Sequence, residues 1–170
     1  KKILLITGHR RENHGLGFRN ICDALKQIAV NNPEIEIIYP VHLNPNVLEP
    51  VHSILSNLKN MHLIEPLDYL PFIKLMESSY FLLTDSGGIQ EEAPSLGKPV
   101  LVMRDITERT EAVEAGTVKI VGTKKDEIIR NVQELLDNSN LYKSMSEANN
   151  PYGDGFSSSK IKKILLEVNK

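Results

Sequence analysis

The stretch Asp85-Ser86-Gly87-Gly88-Ile89-Gln90-Glu91-Glu92 carries the strongest chemical signal in the sequence. It follows an apolar run, residues 80–84, and opens a helical pattern. Paired glycines let a phosphate approach the backbone, and the free N–H groups of a helix start favour an anion. Ser86 offers either a helix cap or a hydroxyl donor. Glu92 falls about one turn further in, where a carboxylate can accept hydrogen bonds from two ribose hydroxyls. The same residues also describe a tight turn with an acidic first helical turn, which the helix dipole favours without any ligand. Taken alone, the stretch leaves these two readings level.

Four further places hold residues of the right type. His9-Arg10-Arg11 follows the first apolar run, and adjacent guanidinium groups at a strand end suit a diphosphate; a solvated basic loop is the alternative. Arg109 closes the charged stretch 104–109 and could reach a phosphate, or simply pair on the surface with Glu108 or Glu111. His42 lies in a proline-shaped turn, as a ligand contact or as an ordinary loop histidine. Phe72, in Leu70-Pro71-Phe72, is either a core residue at a helix start or a flat partner for a nucleobase. Gly97-Lys98-Pro99 needs only turn chemistry, and Cys22, on an apolar helix face, reads as packing.

The elements that must position these residues alternate. Apolar runs at 2–7, 35–41, 61–64, 80–84, 100–103 and 118–121 read as strands buried on both faces. Helical patterns fill the intervals at 18–30, 46–58, 70–77, 89–96 and 124–136, the last with Thr123 as its expected N-cap. Helices over 141–148 and 158–168 close the chain. Such alternation predicts one doubly wound α/β domain over 1–170, a mainly parallel, Rossmann-like sheet. Ligands then bind beyond the carboxyl ends of the strands, which is where the polar and glycine clusters fall.

Composition narrows the function classes. A net charge of −2 over 170 residues gives no electrostatic reason to bind nucleic acid or an acidic membrane. One cysteine excludes an internal disulfide and suits a reducing compartment. No Cys/His spacing suggests a metal site. There is no G-x-S-x-G elbow, no P-loop and no G-x-G-x-x-G after the first strand, so a nicotinamide or flavin enzyme has little support. The chain opens at Lys1 inside a strand-like run, from which we expect it to be part of something longer.

The segments TGHRREN at 7–13, YPVHLNPNV at 39–47, YLPF at 69–72, the block TDSGGIQEEAPSLGKPVLVMRDITERTEAVEAGT at 84–117 and NPYGDG at 150–155 together resemble the carboxyl-terminal half of the bacterial non-hydrolysing UDP-N-acetylglucosamine 2-epimerases. The likeness runs in order over nearly the whole chain, and its long block is highly specific. It implies the C-terminal domain of a glycosyltransferase-B-like enzyme of two domains, with a UDP-sugar in the cleft between them. Such an enzyme interconverts UDP-N-acetylglucosamine and UDP-N-acetylmannosamine without an added cofactor or metal. The sugar loses its C2 proton, UDP departs to leave 2-acetamidoglucal, and UDP then adds back. The carboxylates that handle the C2 proton belong to the amino-terminal domain, which is absent from this chain.

Residue by residue, the resemblance makes His9 a catalytic histidine at the diphosphate. It makes Ser86, Gly87 and Gly88 the phosphate-binding helix start, Glu92 the ribose carboxylate, Arg109 a phosphate contact and Phe72 a residue at the uracil. Arg10 and His42 match contacts to a second, activating UDP-N-acetylglucosamine. It further implies a cytoplasmic homodimer serving cell-surface polysaccharide biosynthesis, with no nucleic-acid or membrane partner. The alternatives are the donor domain of a UDP-sugar glycosyltransferase and a stand-alone UDP-sugar-binding module.

Overall fold

The structure, a computed structural model, describes residues 1–153 and 155–168. Six strands form the sheet: β1 (Ile3–Thr7), β2 (Glu36–Pro40), β3 (Met61–Ile64), β4 (Phe81–Thr84), β5 (Val100–Val102) and β6 (Val118–Ile120). Every pairing is parallel and the order is β3-β2-β1-β4-β5-β6. That is the doubly wound arrangement which the strand–helix alternation predicts.

Successive side chains of a strand point to opposite faces, and both faces here are covered. Leu4, Ile6, Leu83 and Leu101 face one layer, built from α1 (Leu16–Asn31), α2 (Pro45–Leu55), α6 (Lys125–Asp137) and α7 (Ser139–Ser146). Leu5, Leu82, Val100 and Val102 face the other, where α3 (Tyr69–Ser78), α4 (Gly87–Glu92) and α5 (Thr110–Glu114) pack. Continuous apolar runs in the sequence are thus the mark of a sheet with no solvated side. Helix α1 shows the matching helical rule: Phe18, Ile21, Cys22, Leu25, Ile28 and Ala29 form its buried stripe. Burial pushes the Cys22 thiol up to about 12, so it is a packing residue and not a nucleophile.

Several boundaries differ from the sequence reading, for local reasons. Helix α2 stops at Leu55, so Leu58 lies in the turn before β3. The helix expected over 89–96 begins earlier, at Gly87, and turns into a 3-10 segment, Ala93–Leu96, at Pro94, a residue that cannot donate its backbone nitrogen. Gly97 then closes it in the left-handed region, with φ 64°. Helix α6 has Lys124 rather than Thr123 at its N-cap, and no side chain caps it. Helix α5 has no counterpart in the sequence pattern. The closing helix α8 (Ser157–Val168) forms as expected, but none of its residues is buried.

Candidate functional site

Strands β1 and β4 are neighbours, and the chain leaves them toward opposite edges of the sheet. This is the switch point where a doubly wound fold opens a crevice. The Thr7 and Thr84 hydroxyls hydrogen bond to each other across it. Asp85, fully buried just beyond β4, ties the crevice floor together. Its Oδ2 accepts from the backbone N–H groups of His9 and Arg10, each at 2.9 Å, and from Asn13 Nδ2 at 3.3 Å. Its backbone carbonyl accepts from Arg10 Nε at 3.1 Å. One carboxylate therefore shapes the whole turn after β1 that carries His9 and Arg10.

Two guanidinium groups meet at Gly87. A Cβ on this residue would lie 3.5 Å from Arg109 Cζ and 3.6 Å from Arg10 Nη2. Arg109 is fixed from two sides. Its Nε donates to Glu91 Oε1 at 2.6 Å, so its ion-pair partner is Glu91 on α4, with Glu108 only at 3.9 Å and Glu111 not paired. Its backbone N–H donates to the Thr107 hydroxyl, which donates to the buried Gln90 side chain, which in turn donates to the Ser86 carbonyl. Helix α4 and the arginine over its start are one hydrogen-bonded unit. Ser86 occupies the N-cap, yet its hydroxyl makes no capping bond, which leaves the donor role of the two open to it.

Beside this cationic turn lies a cavity of about 210 Å³, lined by His9, His42, Leu67, Phe72, Ser86 and Ile89 among others. Whole small-molecule sites run to about 300–1,000 Å³, so the cavity suits part of a ligand. Phe72, half-buried in the first turn of α3, packs on the second core layer and also faces this space; the two readings of it are both realised. The rings of His9 and His42 stack, with centroids 5.0 Å apart and planes at 11°. Glu92 is half-buried, and among the described residues its carboxylate has no hydrogen-bond or ion-pair partner. Of the expected site residues, His9, His42, Phe72 and Ser86 line this one cavity, and Arg10 and Arg109 meet beside it at Gly87.

The other cation of the 104–109 stretch does different work. Arg104 is buried and binds Glu12 at 2.8 Å and Glu108 at 2.9 and 3.0 Å, locking the turn after β1 to the loop after β5. The Arg104 hydrogen bonds hold the Glu108 carboxyl at about 2. Sequence reading gave no role to Asp85's side chain as a brace, nor to Asn13, Gln90 or Thr107. Their signal, polar residues bordering buried strands, is too common to single them out.

Comparison with known proteins shows the family. The UDP-N-acetylglucosamine 2-epimerase family model matches residues 1–166. The UDP-N-acetylglucosamine 2-epimerase of Campylobacter jejuni is 63% identical over 98% of this chain and 44% of its own length. The crystal structure of the Neisseria meningitidis UDP-GlcNAc 2-epimerase bound to UDP-GlcNAc superposes with a TM-score of 0.93 at 52% identity, covering 98% of this chain and 45% of that one. A glycosyl transferase C-terminal domain from Francisella tularensis, at 14% identity and a TM-score of 0.71 over 89% of this chain and 83% of its own, shares the fold. The chain spans about half the length of the curated relatives it matches. With a match over nearly every residue, the chain belongs to the UDP-N-acetylglucosamine 2-epimerase family.

Proposed function

We propose that this chain is the UDP-binding half of a non-hydrolysing UDP-N-acetylglucosamine 2-epimerase. The observation that carries the proposal is the convergence of Arg10 and Arg109 on Gly87, beside a cavity walled by His9 and Phe72. Such a pair of cations next to a partly apolar pocket fits a diphosphate joined to a flat base. In this reading Ser86, Gly87, Gly88 and Arg109 hold the phosphates, Glu92 the ribose and Phe72 the uracil side. His9 stands at the phosphate that carries the sugar.

The chemistry that follows is an elimination. The C2 proton leaves, the bond from C1 to the diphosphate breaks, and its electron pair goes to UDP. Negative charge grows on the departing phosphate, where preorganised N–H donors lower the barrier. Re-addition of UDP with a proton on the opposite face gives UDP-N-acetylmannosamine. The acid and base at C2 come from the amino-terminal domain, and the whole protein is a cytoplasmic homodimer feeding cell-surface polysaccharide synthesis. Arg10 and His42 also serve a second, activating UDP-N-acetylglucosamine. Because His42 stacks on His9 and Arg10 lies at Gly87, such an activator would act on the catalytic residues by contact.

Titration calorimetry of the chain with UDP and with uridine tests the placement of the phosphates. UDP should bind at least tenfold more tightly, since each tenfold step is only about 1.4 kcal/mol and charge-assisted hydrogen bonds to phosphate exceed it. Equal affinities would remove the diphosphate from Gly87.

A further inference from the structure

We infer that Asp85 is the positioning residue of His9: its carboxylate oxygen Oδ1 accepts a hydrogen bond from His9 Nδ1–H, which keeps the proton on Nδ1 and so presents Nε2 to the diphosphate. The inference rests on the UDP reading of the site and adds the group that sets the tautomer of its histidine.

The two oxygens of Asp85 are used unequally. Oδ2 accepts three N–H donors, while Oδ1, buried with it, has no hydrogen-bond partner among the described residues. A buried acceptor left bare is costly, so a native carboxylate in this state is poised for a partner. The group facing it is His9 Nδ1, at 4.0 Å. That is beyond hydrogen-bond length by about 1 Å, but the His9 side chain is 43% exposed and its backbone N–H is already fastened to the same carboxylate. A small rotation of the ring closes the gap without moving the turn.

The stacked neighbour supports one tautomer for each ring. His42 Nδ1 accepts the Asn44 backbone N–H at 3.1 Å, so the proton of His42 sits on Nε2. His9, with Nδ1 toward Asp85, takes the opposite tautomer. The second nitrogen of a histidine is commonly set by the bond the first one makes.

Asp85→Asn separates this role from a merely structural one. Three N–H donors converge on the Oδ2 position, so the amide must place its oxygen there and its NH2 at the Oδ1 position. The turn keeps its bonds, but a donor now faces His9 Nδ1. Two donors cannot pair, and the ring must move its proton to Nε2.

The test is nitrogen NMR of the chain labelled with 15N-histidine, at pH about 8.5, where an ordinary imidazole of pKa about 6.5 is neutral. Spectra are taken free and with saturating UDP. We expect His9 of the UDP-bound wild type as the Nδ1–H tautomer, Asp85→Asn inverted to Nε2–H, and a UDP affinity for the variant lower by about tenfold or more. If UDP binds but wild-type His9 carries its proton on Nε2, Asp85 does not position it, and this holds even should the variant fail to fold. An unchanged His9 tautomer in a folded Asp85→Asn protein overturns the inference equally. Failure of UDP to bind at all would instead strike the nucleotide reading and, with it, the purpose of the Asp85–His9 pair.

Discussion

Three acidic side chains lie within residues 85–92, and their surroundings divide them. Asp85 braces the turn after β1, and Glu91 holds Arg109 at 2.6 Å. Glu92 alone of the three has no partner among the described residues, as a carboxylate reserved for a ligand would. Replacing it with alanine should therefore cost binding and spare the fold. A charge-assisted hydrogen bond is worth about 1.5–3 kcal/mol, so Glu92→Ala should weaken UDP by roughly ten- to a hundredfold in calorimetry with the melting temperature unchanged. 2′,3′-Dideoxy-UDP, which lacks the hydroxyls, should bind wild type and variant alike; an equal loss for both nucleotides would take Glu92 off the ribose. The sequence pointed to Glu92 by its distance from the glycines. It could not point to Asp85, because a carboxylate's value as a brace depends on His9, Arg10 and Asn13 arriving from a strand more than 70 residues earlier.

At the scale of elements, α4 shows why the glycine pair matters. Gly87 is not in the left-handed region, so its backbone could belong to alanine, and an added Cβ would meet the two guanidinium groups at ordinary contact distance. Glycine is needed for space, not for conformation. Gly87→Ala should then leave stability equal or higher by about 0.4–1 kcal/mol, as expected where the backbone already suits alanine. UDP affinity should nonetheless fall at least tenfold, because the methyl group takes the place between Arg10 and Arg109. Thermal melting with and without UDP separates the two effects, and a variant that is as well protected by UDP as the wild type would move the phosphate elsewhere. The strands and long helices were readable because burial on both faces writes continuous apolar runs and amphipathic stripes. Helix α5 was not, since five residues between two loops carry no periodicity. Helix α8 is the converse case: its amphipathic pattern is plain in the sequence, yet Ile161, Ile164 and Val168 remain exposed. Periodicity announces a helix without saying what it packs against.

At the scale of the molecule, the proposed reaction asks for more carboxylates than the crevice of this chain presents. Moving the proton at C2 takes a base on one face of the sugar and an acid on the other, each within hydrogen-bond reach. In this chain Asp85 is buried beneath the turn and Glu91 is paired, while Glu12 and Glu108 are held by Arg104. Glu92, if it holds ribose, is separated from C2 by the full diphosphate. Among the described residues, no carboxylate lines the cavity at His9 and Phe72. Excluding water from a glycal intermediate would also need a second wall across the crevice, since the cavity at His9 and Phe72 lies open on one side of a single sheet. The 170-residue chain should accordingly bind UDP-N-acetylglucosamine without changing it. Incubation in D2O followed by proton NMR should show no deuterium at C2 and no manno epimer, even at protein concentrations that saturate the sugar nucleotide. Exchange at C2 that disappears in Glu92→Ala would instead place the base on α4, and the division between a phosphate-holding half and a proton-moving half would have to be given up.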